Sequence, residues 1–185
     1  GTSLGLGDFG WGQDDLVTLD LPFEFTYYGE TFDRVTICSN GWMAMGMTWL
    51  VNYRNWNIPA PGAPPFMLAP MWDNFYQNGD DQVYQWHDEA NHRYIVQWSR
   101  VRNMEGDTQS NFQAILYDPA YHTTDTGDGA IVFRSRGIGS IEALEPQRLA
   151  VTPDVPRDLV LSRVSPEETA ARVLLTHVDA DGDFS

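Results

Sequence analysis

Acidic residues grouped around turns are the first candidates for chemistry in this chain. Asp73 and Asn74 are followed, after a short gap, by Gly79, Asp80 and Asp81. Carboxylates and an amide around a turn offer oxygens, and calcium takes roughly six to eight of them. Their spacing follows no known calcium loop, so Asx turns and blunted strand edges account for the same residues. Near the C-terminus Asp179, Asp181 and Asp183 alternate with other residues. That is how the first, third and fifth ligands of an EF-hand-type loop are spaced. Phe184 then stands where glycine is expected, and the sequence stops at Ser185. These residues read either as the lead-in to a following calcium-binding module or as a solvated acidic tail. Calcium is the cofactor the sequence raises.

A second group is aromatic. Trp49, Tyr53 and Trp56 lie beside Asn52, Arg54 and Asn55 in a proline-rich stretch. Rings offer apolar faces, and amides and a guanidinium offer hydrogen bonds. Such a set suits a carbohydrate or a peptide. The competing reading folds the rings inward to cap one end of the body, with Pro59, Pro61, Pro64 and Pro65 pinning the loop.

Other chemistry is thinly represented. His87, His92, His122 and His177 include no helical zinc-type pair and no HExxH. His87 and His92 flank one predicted hairpin turn and are otherwise expected at the surface. No GxSxG, P-loop or dinucleotide fingerprint occurs. Nothing singles out a carboxylate pair for glycoside hydrolysis. Cys38 is the lone cysteine, so no intramolecular disulfide forms. It ends an apolar run and reads as a buried structural thiol rather than a nucleophile.

The elements that must position these residues are strands. Leu21–Gly46 is the clearest stretch. Phe23, Phe25 and Tyr27 recur at period two and share a face. Pro22 permits only an edge or a strand start. Gly29-Glu30 turns the chain, and Val35 and Ile37 lead into Ser39-Asn40-Gly41. Asn-Gly is a strong hairpin signal because both residues tolerate positive φ. Trp42, Ala44 and Gly46 then alternate with Met43 and Met45. Met47–Pro65 is a long irregular loop, of the kind that is functional or packed over a core. Further strands are expected at Leu16–Leu19, Phe66–Met71, Gln82–His87, Arg93–Val101, Asn111–Tyr117 and Gly129–Arg134. Weaker ones fall at Arg148–Val151, Leu159–Val164 and Ala171–Thr176. Ser165-Pro166-Glu167-Glu168 predicts a short helix near 166–171. About ten short strands with almost no helix predict an all-β, antiparallel sandwich or jelly-roll-like fold. The expected division is an N-terminal arm over 1–15, one sandwich domain over 16–177 and an acidic tail over 178–185.

Bulk composition agrees with a packed β body. Hydrophobic residues make up 42% of the 185, and aromatics 13%. The net charge of −15 leaves no basic footprint for nucleic acid, and it disfavours anionic membrane surfaces. It suits a soluble exported protein. No apolar run is long enough for a membrane helix, and no signal peptide is visible. The first residue is Gly rather than Met, which points to a processed or excised chain.

Eight motifs, in order, carry a resemblance: LPFEFTYYG, VTICSNGWMAMG, YRNWNIP, FMLAPMWDNF, QVYQW, YIVQWSRVRN, NFQAILYDP and GAIVFR. Together, from about Leu16 to Arg134, they resemble the nidogen-like (NIDO-type) domain, most closely its relatives in large secreted bacterial proteins. The resemblance implies a non-enzymatic extracellular module with adhesive, scaffolding or ligand-binding roles. Its partners would be other modules of a parent chain, or an extracellular protein or glycan, with self-association a further option. It brings no catalytic residue set. Asn40-Gly41 and Trp72-Asp73 match the family pattern and read as framework, and beyond Gly137 the likeness fades. Two alternatives stand beside this reading: an accessory domain of a secreted peptidase or glycan-active enzyme, and a structural subunit of an extracellular filament or layer.

Overall fold

Twelve residues from Leu16 to Tyr27 form one strand, β2, where the sequence suggests two. Pro22 lies inside it and is tolerated because β2 is the edge of its sheet. The pairing register with β3 (Glu30–Cys38) breaks between Asp20 and Phe25, so the irregularity falls around the proline. The computed structural model describes residues 1–6, 14–55, 58, 62–77, 82–106, 109–136 and 176–177. Among these, β4 (Trp42–Met45) and β5 (Met67–Leu68) complete a four-stranded antiparallel sheet in the order β2-β3-β4-β5.

A second, seven-stranded sheet faces it. Its order is β1 (Thr2–Ser3), β7 (Gln82–Asp88), β8 (Arg93–Asn103), β9 (Gln109–Tyr117), β10 (Ile131–Arg136) and β11 (Thr176–His177), with β6 (Phe75–Tyr76) also paired to β8. All these pairs are antiparallel except β10 with β11, which run parallel. The fold is an all-β sandwich, as the strand pattern predicts. The expected strands at Arg148–Val151 and Leu159–Val164, the short helix near 166–171 and most of Ala171–Thr176 lie outside the described residues.

Period-two alternation assigns the faces. Val35, Ile37, Met43 and Met45 from the small sheet meet Val83, Val96, Trp98, Phe112, Ala114 and Phe133 from the large one in a single buried cluster. Phe25 is fully buried there, and Phe23 and Tyr27 pack against it, so the three predicted partners do share a face. Trp98 stacks on Phe112 and donates its indole N–H to the Cys38 carbonyl at 2.8 Å. The alternate residues Cys38, Trp42 and Ala44 point the other way and join Met67 and Trp72 in a second cluster. The small sheet is thus apolar on both faces, and part of the chain must cover its outer side. Ile58, Ala63 and Ala69, from the segment between β4 and Trp72, pack there. A third cluster, of Ile95, Ile115 and Val132, lies on the large sheet.

The turns differ in detail from the sequence reading. Tyr28 and Gly29 make the β2–β3 turn, at φ 54° and 75°, one residue earlier than expected. Between β3 and β4 only Gly41 takes a positive φ, 77°, and Cys38 pairs with Trp42 across a three-residue loop. A three-residue loop ending in a left-handed glycine needs only that glycine to be special. Asn40 is thereby released for another task. The β7–β8 hairpin closes on a 3-10 turn at Glu89–Asn91, as the polar DEAN connection suggests. At the N-terminus, Thr2 and Ser3 pair with Gln85 and Tyr84 of the same chain, and Leu6 is buried in the main core.

Candidate functional site

Asn40 organises the end of the sandwich where the long loop departs. It is fully buried, which for an amide requires partners. Its Nδ2 donates to Asp14 Oδ1 at 2.9 Å and to the Val51 carbonyl at 3.1 Å. Its Oδ1 accepts the Phe75 N–H at 3.1 Å, and its backbone carbonyl accepts the Asp73 N–H. One side chain ties the segment before β2, the β3–β4 turn, the loop and β6 together. Gly41 beside it makes a close approach: a Cβ there would run into the Met71 carbonyl oxygen and the Phe75 ring.

The loop is then pinned from below. Trp42 and Trp72 both donate their indole N–H to the Asn52 carbonyl, at 3.0 and 2.8 Å. Thr36 Oγ1 accepts the Thr48 N–H, and Thr48 Oγ1 accepts the Leu50 N–H. The Asn52 side chain turns inward, accepting from Arg54 N–H and donating to the Gly62 carbonyl. Of the two amides proposed beside the rings, Asn52 is therefore spent on the loop's own shape, while Asn55 is exposed.

What remains outside mixes apolar side chains with the exposed Arg54 and Asn55. Trp49 is 78% exposed and Met47 61%, and Leu50, Val51 and Tyr53 are exposed beside them. Arg54 lies over the Tyr53 ring, 5.8 Å from its centroid. Within the aromatic stretch Trp49, Tyr53 and Arg54 face out, and the indoles that fold inward beneath it, Trp42 and Trp72, belong to other segments. Trp56 lies outside the described residues. The aliphatic members Met47, Leu50 and Val51 carry neither ring nor amide to mark them in the sequence. The signal for them was an apolar run, MTWLV, with no period to bury it.

Of the carboxylates proposed for calcium only Asp73 is described, and it is hydrogen-bonded within the fold. Asp73 Oδ1 accepts the N–H of the adjacent Asn74 at 2.7 Å, and Oδ2 accepts from Asn103 Nδ2 at 2.6 Å. The Asn74 carbonyl accepts the Met104 N–H. Asp80, Asp81, Asp179, Asp181 and Asp183 lie outside the described residues. Among the described residues no group of three or more histidine, cysteine or acidic side chains is placed to hold a metal.

The histidines go separate ways. His87 sits edge-on to Phe23 and 3.9 Å from Glu89 Oε1, whereas His92 stacks flat on Tyr121 with ring centroids 3.5 Å apart. His122 Nε2 lies 3.2 Å from the Asn91 carbonyl. Burial pushes the Cys38 thiol up to about 12, so it stays protonated and unreactive near neutral pH.

Two facing, largely antiparallel sheets with one buried core between them define a β-sandwich domain. The family is narrower than that. The model of the family described as NIDO related matches residues 5–135, and the chain belongs to this family. No curated protein and no solved structure matches the chain. Among the described residues no helix is long and apolar enough to cross a membrane.

Proposed function

We propose that this NIDO-related domain is a non-catalytic extracellular module that recognises a partner through the loop spanning residues 47–54. The observation that carries the reading is Trp49, 78% exposed on a loop held by two indole bonds and by Asn40. Exposed apolar side chains in one patch mark contact surfaces more often than scattered ones do. A pinned backbone lowers the ordering cost of binding. The net charge of −15 and the family membership support an exported setting. The reading as a filament subunit joined by its N-terminal arm has less support, because Thr2 and Ser3 pair within their own chain.

The test is to probe arrays of extracellular glycans and matrix proteins with the labelled 185-residue chain and its Trp49→Ser variant. Targets held by the parent and lost by the variant are expected. Targets held equally by both would move recognition away from this loop.

A further inference from the structure

The outer face of the large sheet carries a row of apolar side chains. Trp86 pairs with Ile95, Ile95 with Ile115 and Ile115 with Val132, so the row crosses β7, β8, β9 and β10 in register. Polar side chains flank it. Arg93 lies opposite Tyr117 on one side, and on the other Gln113 Nε2 donates to Gln97 Oε1. Val96, Ala114 and Phe133, their neighbours in sequence, point into the core between the sheets. The row therefore faces away from the small sheet.

This row is nevertheless dry. Ile95 keeps 2% of its surface exposed, Ile115 1% and Val132 3%. A bare face of an antiparallel sheet stands in water, and its side chains stay wet. Among the described residues, the further apolar side chains packed on the three are Trp86 and Tyr117, which belong to the same sheet. The row requires a cover from elsewhere.

The chain itself limits the source. The stretch from 137 to 175 lies between β10 and β11, outside the described residues, and is tied to one strand at both ends. It leaves β10 at Arg136, and β11 returns to pair beside Arg134 and Ser135. Adjacent strands lie about 4.8 Å apart, so the row from Val132 to Ile95 is within roughly 10 Å of β10. A segment tethered so close meets that face at a high effective concentration, ahead of a partner in solution. A second copy is a poor occupant, because two bodies of −15 repel. Composition fits as well. Continued to Leu175, the helix expected near 166–171 presents Ala170, Val173 and Leu174 on one side, at i, i+3 and i+4, and Glu168 and Arg172 off it. The family match ends at residue 135, so this stretch lies beyond the shared module.

We infer that residues 166–175 pack as an amphipathic helix on the outer face of the large sheet, with Ala170, Val173 and Leu174 against Ile95, Ile115 and Val132. The sheet face is thereby occupied by the chain's own C-terminal stretch and is not offered to a partner. The inference stands apart from the reading of the loop over 47–54, and either can fail without the other.

Methyl NMR of the full chain tests it. Cross-peaks are expected between the methyls of Val173 or Leu174 and those of Ile95, Ile115 or Val132. Leu174→Asp should shift the signals of Ile95, Ile115 and Val132 and expose them to a soluble paramagnetic probe. The signals of Val35 and Ile37, between the sheets, should stay in place. Glu168→Gln, off the packed side, should leave all five unchanged. If Leu174→Asp fails to fold, the cross-peaks of the parent decide alone. A parent spectrum with no cross-peak from 166–175 to the row overturns the inference. So does a folded Leu174→Asp chain in which the row's signals have not moved. Cross-peaks found only between differently labelled chains in a mixed sample would make a second copy the cover, and would overturn it too.

Discussion

Trp42 and Trp72 donate to the same acceptor: both indole N–H groups end on the Asn52 carbonyl, at 3.0 and 2.8 Å. The two tryptophans also lie in one buried cluster on the outer face of the small sheet. This shared acceptor helps hold the loop that carries Trp49, so among the described residues the most exposed tryptophan depends on two buried ones.

The first prediction follows from that sharing. Either Trp42→Phe or Trp72→Phe leaves the carbonyl one donor and should cost about 1 kcal/mol for the bond, besides lost packing. The double variant leaves it none. A double-mutant cycle by urea unfolding should therefore return a coupling of roughly 1 kcal/mol, because only loss of the second donor leaves the buried carbonyl unsatisfied. Amides of residues 48–54 should exchange faster in the double variant than in either single one. Strict additivity, with unchanged exchange, would show that the loop is held elsewhere.

Asn40 gives a sharper contrast. Asn40→Ala leaves the Phe75 N–H, the Asp14 carboxylate and the Val51 carbonyl without this partner, at roughly 2–4 kcal/mol. Asn40→Asp keeps the shape but replaces two donated hydrogens with an acceptor facing a carboxylate and a carbonyl. The aspartate should be the more damaging of the two, despite being nearly isosteric. Equilibrium unfolding of both variants decides it, and an aspartate variant more stable than the alanine one would remove Asn40 from its place as the organising donor.

The sandwich was legible in the sequence because strand faces are a local property. Met43 and Met45 in one cluster with Trp42 and Ala44 in the other is what alternation predicts. The site was less legible, because its ties are not local. Asn40 bonds to residues 26, 11 and 35 positions away, and no periodicity reports that. From the sequence it was a turn residue. Trp49 and Trp72 also look alike in composition. Their opposite fates follow from a backbone path set by those same bonds. Thr2–Ser3 escaped notice because two residues cannot show a period, and its pairing is decided by the edge that β7 presents.

Glycines at two turns separate conformational cost from steric cost. Gly29 and Gly41 have φ of 75° and 77°, so alanine is strained at both. At Gly29 a Cβ meets nothing within 4 Å, and Gly29→Ala should cost about 1–2 kcal/mol from the backbone alone. At Gly41 the same Cβ collides with the Met71 carbonyl oxygen, which belongs to backbone and cannot step aside. Gly41→Ala should cost more than about 3 kcal/mol, or prevent folding. Thermal melts of the pair give the comparison, and equal losses would mean that the chain around Met71 relaxes freely.

The last prediction concerns acid. Asp88 caps the 3-10 turn of the β7–β8 hairpin, accepting from the Asn91 backbone N–H and side-chain amide. It also pairs with Arg93 at 2.8 Å. The Asn91 bonds first, and then Arg93, hold its carboxyl below the usual carboxylate range. A carboxyl depressed in the folded state contributes stability above its unfolded pKa, about 3.9. That contribution is lost as pH falls through the lower folded value. Asp88→Asn, which cannot ionise, should melt lower than the parent at neutral pH. The gap should narrow steadily as pH drops below about 4. Melting curves of both proteins from pH 7 down to the acid limit give the two profiles, and a gap that stays constant would show that the Asp88 charge contributes nothing to the hairpin.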